Sequence, residues 1–256
     1  MLQPLARGNI RLAATVMLLR DGKEGLEVFM AKRPGKGVFP DIYVFPGGKV
    51  DESDWAPDLC FGLTDSVACL NMNLDSGALR YWVAVARECF EECGVVLVRD
   101  KERPSLSLSP QRLQNASVKR ERLLVGDTNF QAICKEENWL IDCESLAYFS
   151  HWLTPEIAPK RFDTRFFIAA MPADQKAIAH EKEIMDAHWV RPELALEHFH
   201  DDRWKMIDPT IRSLETLSQF DDVSAALVGV RKGDHLMPWT EALGQQGMQQ
   251  FISKAI

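Results

Sequence analysis

Three glutamates crowd the stretch VAVARECFEECGVV, residues 83–96: Glu88, Glu91 and Glu92. Like charges three or four residues apart on a helix cost roughly 0.2–0.5 kcal/mol per pair. Either water over a solvated face offsets that cost, or a cation does. Mg²⁺ and similar hard cations take oxygen ligands, usually one or two carboxylates together with waters and a substrate phosphate. Arg87 lies one turn before Glu91, close enough to orient a carboxylate.

Such a set needs a rigid carrier. At roughly 100° per residue, Leu79, Trp82, Val83, Ala86, Phe90 and Cys93 share one face, and the three glutamates share the other. The spacing predicts a helix over 78–93. Its apolar stripe should dock on a sheet, with the carboxylates projecting away. Gly94 supplies the stop.

Strand patterns precede it. IRLAATVMLL and LEVFMAKR read as two strands joined by RDGKEG, and DIYVFPGG as a third ending at the Pro-Gly-Gly break. Residues 51–77 carry no regular pattern. VVLVR follows the helix as a strand. Residues 100–150 open on the Ser/Pro-rich KERPSLSLSPQRL and continue with helical runs, SVKRERLL and NFQAICKEENW. RFDTRFFIAAM and EIMDAHWV read as strands. PELALEHF and PTIRSLETLSQF read as helices with Pro near the first turn. The last 35 or so residues are weakly patterned. Mixed strands and helices imply a layered α/β or α+β domain.

Composition narrows the function. A net charge of −7 argues against broad binding to a nucleic acid polymer, which needs a basic face. It leaves room for a small phosphorylated substrate met through a divalent cation. No run of about 18 apolar residues suggests a membrane span, and the N-terminus lacks the form of a signal peptide. Cys60, Cys69, Cys89, Cys93, Cys134 and Cys143 form no CxxC, so reduced thiols in a cytoplasmic protein are expected. The ending FISKAI is not the Ser-Lys-Leu peroxisomal address.

The stretch ARECFEECGV resembles the second half of the Nudix box, R-E-apolar-x-E-E-x-G-apolar. The first half, a Gly, five residues and an acid, is matched by Gly48 and Asp54 in GGKVDESD. Where the family leaves seven residues between that acid and the Arg, this chain has 32, so an insertion splits the box. VFPGGKVDESDW, HWLTPEIAPKRFDTRFF and HWVRPELAL are similar to the split-box branch that contains the acyl-coenzyme A diphosphatases. The resemblance runs from about residue 10 to 220.

The resemblance implies an α/β fold, a Nudix-type α/β/α sandwich with a mixed sheet. It implies one domain over 1–256, with insertions at about 55–77 and 100–150. It also implies a Nudix diphosphate hydrolase using Mg²⁺ or Mn²⁺ on a small-molecule diphosphate, coenzyme A or acyl-coenzyme A first. The alternatives are an ADP-ribose or nucleotide-sugar pyrophosphatase, or a nucleotide-binding domain without turnover. A homodimer is compatible with the family.

By the same resemblance Glu88, Glu91 and Glu92 are metal ligands, with the Gly47 carbonyl as an addition, and Arg87 orients them. Asp54, one methylene shorter than the usual Glu, is ranked ahead of Glu52 as the partner of Arg87. The general base is a box glutamate or an acid from AHEKEIMDAHWV, where Glu181 and Glu183 stand. Glu183 is the better match, six residues before Trp189. Arg33, Arg161 and Arg165 are candidates for the diphosphate. On a strand Arg161, Asp163 and Arg165 share a face, so Arg165 meets substrate or pairs with Asp163. His151 and Trp152 offer stacking on a base or, for the Trp, core packing.

Overall fold

A computed structural model describes residues 6–34, 41–102, 108–154, 156, 160–179 and 186–236. Its strands are β1 (Ala6–Arg7), β2 (Ile10–Gly22), β3 (Gly25–Lys32), β4 (Tyr43–Val44), β5 (Gly47–Lys49), β6 (Cys60–Phe61), β7 (Val98–Asp100), β8 (Trp139–Asp142), β9 (Leu146–Leu153), β10 (Arg161–Ala170) and β11 (Asp186–Val190). Its helices are α1 (Asp65–Met72), α2 (Leu79–Cys93), α3 (Pro110–Leu124), α4 (Phe130–Glu136), α5 (Pro192–His200), α6 (Asp208–Leu217) and α7 (Val223–Lys232).

The main sheet runs β11-β3-β2-β10-β9, with β2 and β10 parallel and the other pairs antiparallel. Successive side chains of β2 serve opposite faces. Leu12, Ala14, Val16 and Leu18 pack into a core with α1, α2, α3 and α4. Met17 and Leu19 pack into a second core with α5, α6 and α7. Burial on both faces explains why this strand reads as nearly continuous apolar residues. The result is a three-layer α/β/α sandwich.

Several expectations need correction. DIYVFPGG is not one strand. β4 pairs with β3, β5 pairs with β2, and the Pro46 carbonyl between them accepts from the Val16 amide at 2.8 Å. Segment 43–49 therefore crosses from one arm of the β2–β3 hairpin to the other, and the Gly-Gly pair lies within a strand. Residues 51–77 hold 3₁₀ turns, β6 and α1. β6 pairs in parallel with β8, and β8 with β7, so both inserted segments meet in one small sheet. VVLVR becomes extended only at Val98. Within the last 35 residues, α7 is a capped helix that buries Val223, Ala226 and Val230. EIMDAHWV is a strand from Asp186 onward; its first three residues lie outside the described set.

Candidate active site

α2 forms where the periodicity places it, ending at Gly94 in the left-handed region. It is not half wet, however. Every residue from Leu79 to Phe90 is buried, Glu88 included. The acidic face is turned toward β5 and the following 3₁₀ turn, with Glu88 buried and Glu91 and Glu92 half-buried.

Two glycines allow this approach. At Gly48 a Cβ would stand 2.5 Å from Glu88 Oε1. At Gly47, with φ +155°, a Cβ would overlap the Ala14 carbonyl oxygen, and the Gly47 amide donates to Glu92 Oε2 at 2.9 Å. Gly47 thus meets the glutamates through its N–H in this structure.

Arg87 is the hub. Its Nε donates to Asp54 Oδ1 at 2.9 Å, and Nη2 donates to Asp54 Oδ2 at 3.0 Å and to the Lys49 carbonyl at 2.8 Å. Its Nη1 donates to Glu88 Oε1 at 2.8 Å and Glu91 Oε2 at 3.2 Å. The guanidinium's five N–H groups all find acceptors. Asp54 reaches because the 3₁₀ turn Glu52–Asp54 carries it against α2, where it is 1% exposed. Its Oδ2 also accepts the Asp51 amide at 2.7 Å. Glu52 is exposed.

The charge balance is lopsided. Asp54, Glu88 and Glu91 share one guanidinium, with Glu92 beside them. Burial pushes the Glu88 carboxyl up to about 7, against the pull of Arg87 and helped by the charge of Glu91. Burial also raises Asp54, while Arg87 pulls it down. Burial opposes the Arg87 cation, but its carboxylate partners outweigh that and hold it charged.

Among the described residues, no three acidic, His or Cys side chains converge as ligands on one point. Arg87 and Gly47 engage the three glutamates instead. The donor set still fits a hard divalent cation: it is all oxygen, carries excess negative charge, and includes a carboxyl whose ionisation burial opposes.

Other sequence candidates scatter. Glu181 and Glu183 lie outside the described residues. Arg33 is exposed just past β3. Arg161 donates from Nε to the Thr154 carbonyl at 3.0 Å. Arg165 is buried; its Nη1 donates to Tyr148 Oη at 3.1 Å, and its Nε lies 3.4 Å from Asp163 Oδ1. The pairing with Asp163 that the sequence offered is thus present. His151 Nε2 also meets Asp163 Oδ1, at 2.7 Å. Trp152 packs against the α5–α7 core and donates to Ser150 Oγ at 3.1 Å.

One participant escaped the sequence reading. Arg120 of α3 donates from Nε and Nη2 to the Glu91 carbonyl, at 3.0 and 2.9 Å. It caps the end of α2 that carries the glutamates. Nothing in SVKRERLL marks one base among three for that task.

Residues 75–217 match the NUDT19 Nudix domain. The chain is 27% identical over 232 residues to the acyl-coenzyme A diphosphatase NUDT19 of Xenopus laevis, covering 77% of this chain and 61% of that protein. With the Homo sapiens protein of the same name it is 25% identical over 237 residues, covering 78% and 63%. The chain thus spans about three fifths of the length of these curated relatives. Among solved structures, a NUDIX hydrolase from Alicyclobacillus acidocaldarius superposes with a TM-score of 0.67 at 25% identity, covering 87% of this chain and 97% of that one.

Proposed function

We propose, from the premise that this chain belongs to the NUDT19 Nudix domain family, that it is a divalent-cation-dependent hydrolase of a nucleoside-diphosphate-linked substrate, coenzyme A or an acyl-coenzyme A first. The observation that carries the reading is the Arg87 hub. It gathers Asp54 from one half of the split box and Glu88 and Glu91 from the other, against a glycine pair that leaves no room for side chains.

In this reading Glu88, Glu91 and Glu92 hold Mg²⁺ or Mn²⁺, with the Gly47 carbonyl as a further donor. The bound cation would neutralise diphosphate charge and make water a better nucleophile. Arg87 fixes the rotamers of Glu88 and Glu91, and Asp54 fixes Arg87. Arg33, Arg161 and Arg165 are proposed for the phosphate oxygens. Glu183 is proposed to take the proton from the attacking water. The water oxygen bonds to one phosphorus and that atom's bond to the bridging oxygen breaks. The bridging oxygen leaves on the other phosphoryl group. From coenzyme A the products are 3′,5′-ADP and 4′-phosphopantetheine.

Six free cysteines fit the reducing cytoplasm proposed from sequence. None of the helices among the described residues is long and apolar enough to cross a membrane. The partner proposed is the small-molecule substrate, not a nucleic acid polymer or a membrane, and the chain is proposed to homodimerise.

The test is product analysis by mass after incubation with coenzyme A, acyl-coenzyme A, ADP-ribose and nucleotide sugars in Mg²⁺ or Mn²⁺. The two coenzyme A products are expected. Cleavage of ADP-ribose with coenzyme A untouched moves the assignment to an ADP-ribose pyrophosphatase. Saturable nucleotide binding with no turnover of any substrate makes this a binding domain.

A further inference from the structure

Beyond the carboxylates, the α2 side of the sheet carries a second polar feature. Arg20 of β2 lies over the Trp189 ring, its Cζ 4.4 Å from the centroid. Its Nε donates to Glu27 Oε2 at 2.6 Å. Glu27 holds one edge of the guanidinium and Trp189 supports its flat face. The Nη1 and Nη2 groups donate to nothing else among the described residues. An arginine fixed on two sides, with its outer edge presented, is a preorganised anion fork.

A cleft of about 460 Å³ opens beside that fork. Arg20 and Trp189 form one wall, and Met171, Pro172, Gln175 and Lys176 contribute to the rest. Among the described residues that line it, the charged ones are Arg20 and Lys176, with no carboxylate. The neighbouring cleft on the far side of Arg20 contains Asp21, Glu24 and Glu27 and suits an anion less well. Lys176 is exposed, so both cations reach a solvent-borne ligand.

The cleft is tied to the glutamate-bearing helix. The Ile178 amide donates to the Cys93 carbonyl at 2.7 Å, directly after Glu92. The Gln175 side chain bonds both backbone groups of Val96, at 2.8 and 3.0 Å. Thr15 pairs with Gly47, the partner of Glu92, and Arg20 follows on the same strand. Five residues of strand span about 17 Å.

We propose that Arg20 and Lys176 form a subsite for a phosphomonoester that the substrate carries apart from its diphosphate. In coenzyme A that group is the ribose 3′-phosphate. The subsite rests on the diphosphatase reading above and names the feature that selects the substrate. A dianion draws on both cations at once, whereas an unsubstituted ribose hydroxyl gives them little to hold.

The experiment compares coenzyme A with dephospho-coenzyme A, which lacks only the 3′-phosphate. Wild type, Arg20→Gln and Lys176→Gln are assayed for kcat/KM on both. Arg20→Gln should lower the coenzyme A to dephospho-coenzyme A ratio about tenfold, the size of one lost charge-assisted contact. Lys176→Gln should lower it several-fold. A ratio that neither variant moves overturns the subsite while leaving the diphosphatase reading intact. A calorimetric arm needs no turnover: wild type should bind 3′,5′-ADP more tightly than 5′-AMP, with Arg20→Gln erasing the preference. If wild type cleaves neither coenzyme, the diphosphatase reading has failed and this arm alone decides the subsite. Equal binding of the two nucleotides overturns it. So does inorganic phosphate binding as tightly as 3′,5′-ADP in an Arg20-dependent way, which would make the cleft a free-anion site.

Discussion

The Arg87–Asp54 pair invites a double-mutant cycle. Arg87→Met removes every donor of a guanidinium whose side chain is 8% exposed, and strands Asp54, whose side chain is 1% exposed. Removing one partner of a buried ion pair costs about 3–5 kcal/mol, because the other charge stays buried without its counter-ion. Asp54→Leu alone should cost less, since Arg87 keeps Glu88 and Glu91 at 2.8 and 3.2 Å. The double variant should cost clearly less than the two singles together, with a coupling of about 2–3 kcal/mol. Arg87→Lys keeps the charge but loses the planar fork and should recover less than half of the loss. Urea unfolding followed by circular dichroism in EDTA measures the wild type and all four variants without a cation to mask the effect. Additive costs, within about 0.5 kcal/mol, would refute the hub as a coupled unit. Asp54 would then be a helix-turn residue that happens to face Arg87.

Gly48→Ala should displace Glu88, since its Cβ meets that carboxylate at 2.5 Å; activity should fall at least tenfold with a modest change in melting temperature. Gly47→Ala should instead destabilise by more than about 2 kcal/mol, because it collides with backbone, and a normal urea midpoint would contradict the β5 geometry. Glu91→Gln and Glu92→Gln should each greatly reduce turnover with the fold retained, and near-normal rates at limiting Mg²⁺ would remove them as ligands. For pH dependence, the folded Glu88 pKa of about 7 stands above its ordinary 4.5, so the folded state retains a proton the unfolded chain has lost. Metal-free stability should therefore fall as pH rises from 4.5 toward 7, by about 3 kcal/mol at most, then level off. Glu88→Gln should flatten that slope, and parallel pH curves in urea unfolding would show that Glu88 does not carry it.

What the sequence disclosed depended on how local each signal is. α2 was readable because a 3.6-residue period over four turns needs no knowledge of partners, and Gly94 marks its end. β2, β3 and β10 were readable as long apolar runs. Direction of exposure was misread: a wheel separates apolar from acidic residues but cannot distinguish an acidic face in water from one pressed onto glycines. Only the backbone approach at Gly47 and Gly48 settles that. β5, β6 and β8 have two to four residues each. Their pairings are set by partners tens of residues away, so no local pattern marks them. Arg120 is invisible for the same reason, since its acceptor is a backbone carbonyl on another helix.

The split box poses a last physical question: how a 25-residue excess leaves the Arg87–Asp54 contact intact. Closing a loop of 32 residues instead of seven costs only about 1.3 kcal/mol more, because closure entropy grows with the logarithm of length. The inserted segment supplies its own offsets. Asp65, at the start of α1, accepts the Gly77 amide at 2.9 Å and the Leu79 amide at 3.0 Å. It thereby caps the start of α2, where Ala78 has no side chain able to do so. Ala68, Cys69 and Met72 of α1 are buried in the core shared with α2. β6 then fastens the segment to β8 of the second insertion. Each of these contacts stabilises by roughly the size of the closure cost or more. The insertion therefore rides on the glutamate-bearing helix as a brace. The two halves of the box remain one site because the intervening chain folds back to the N-terminus of the helix that completes it.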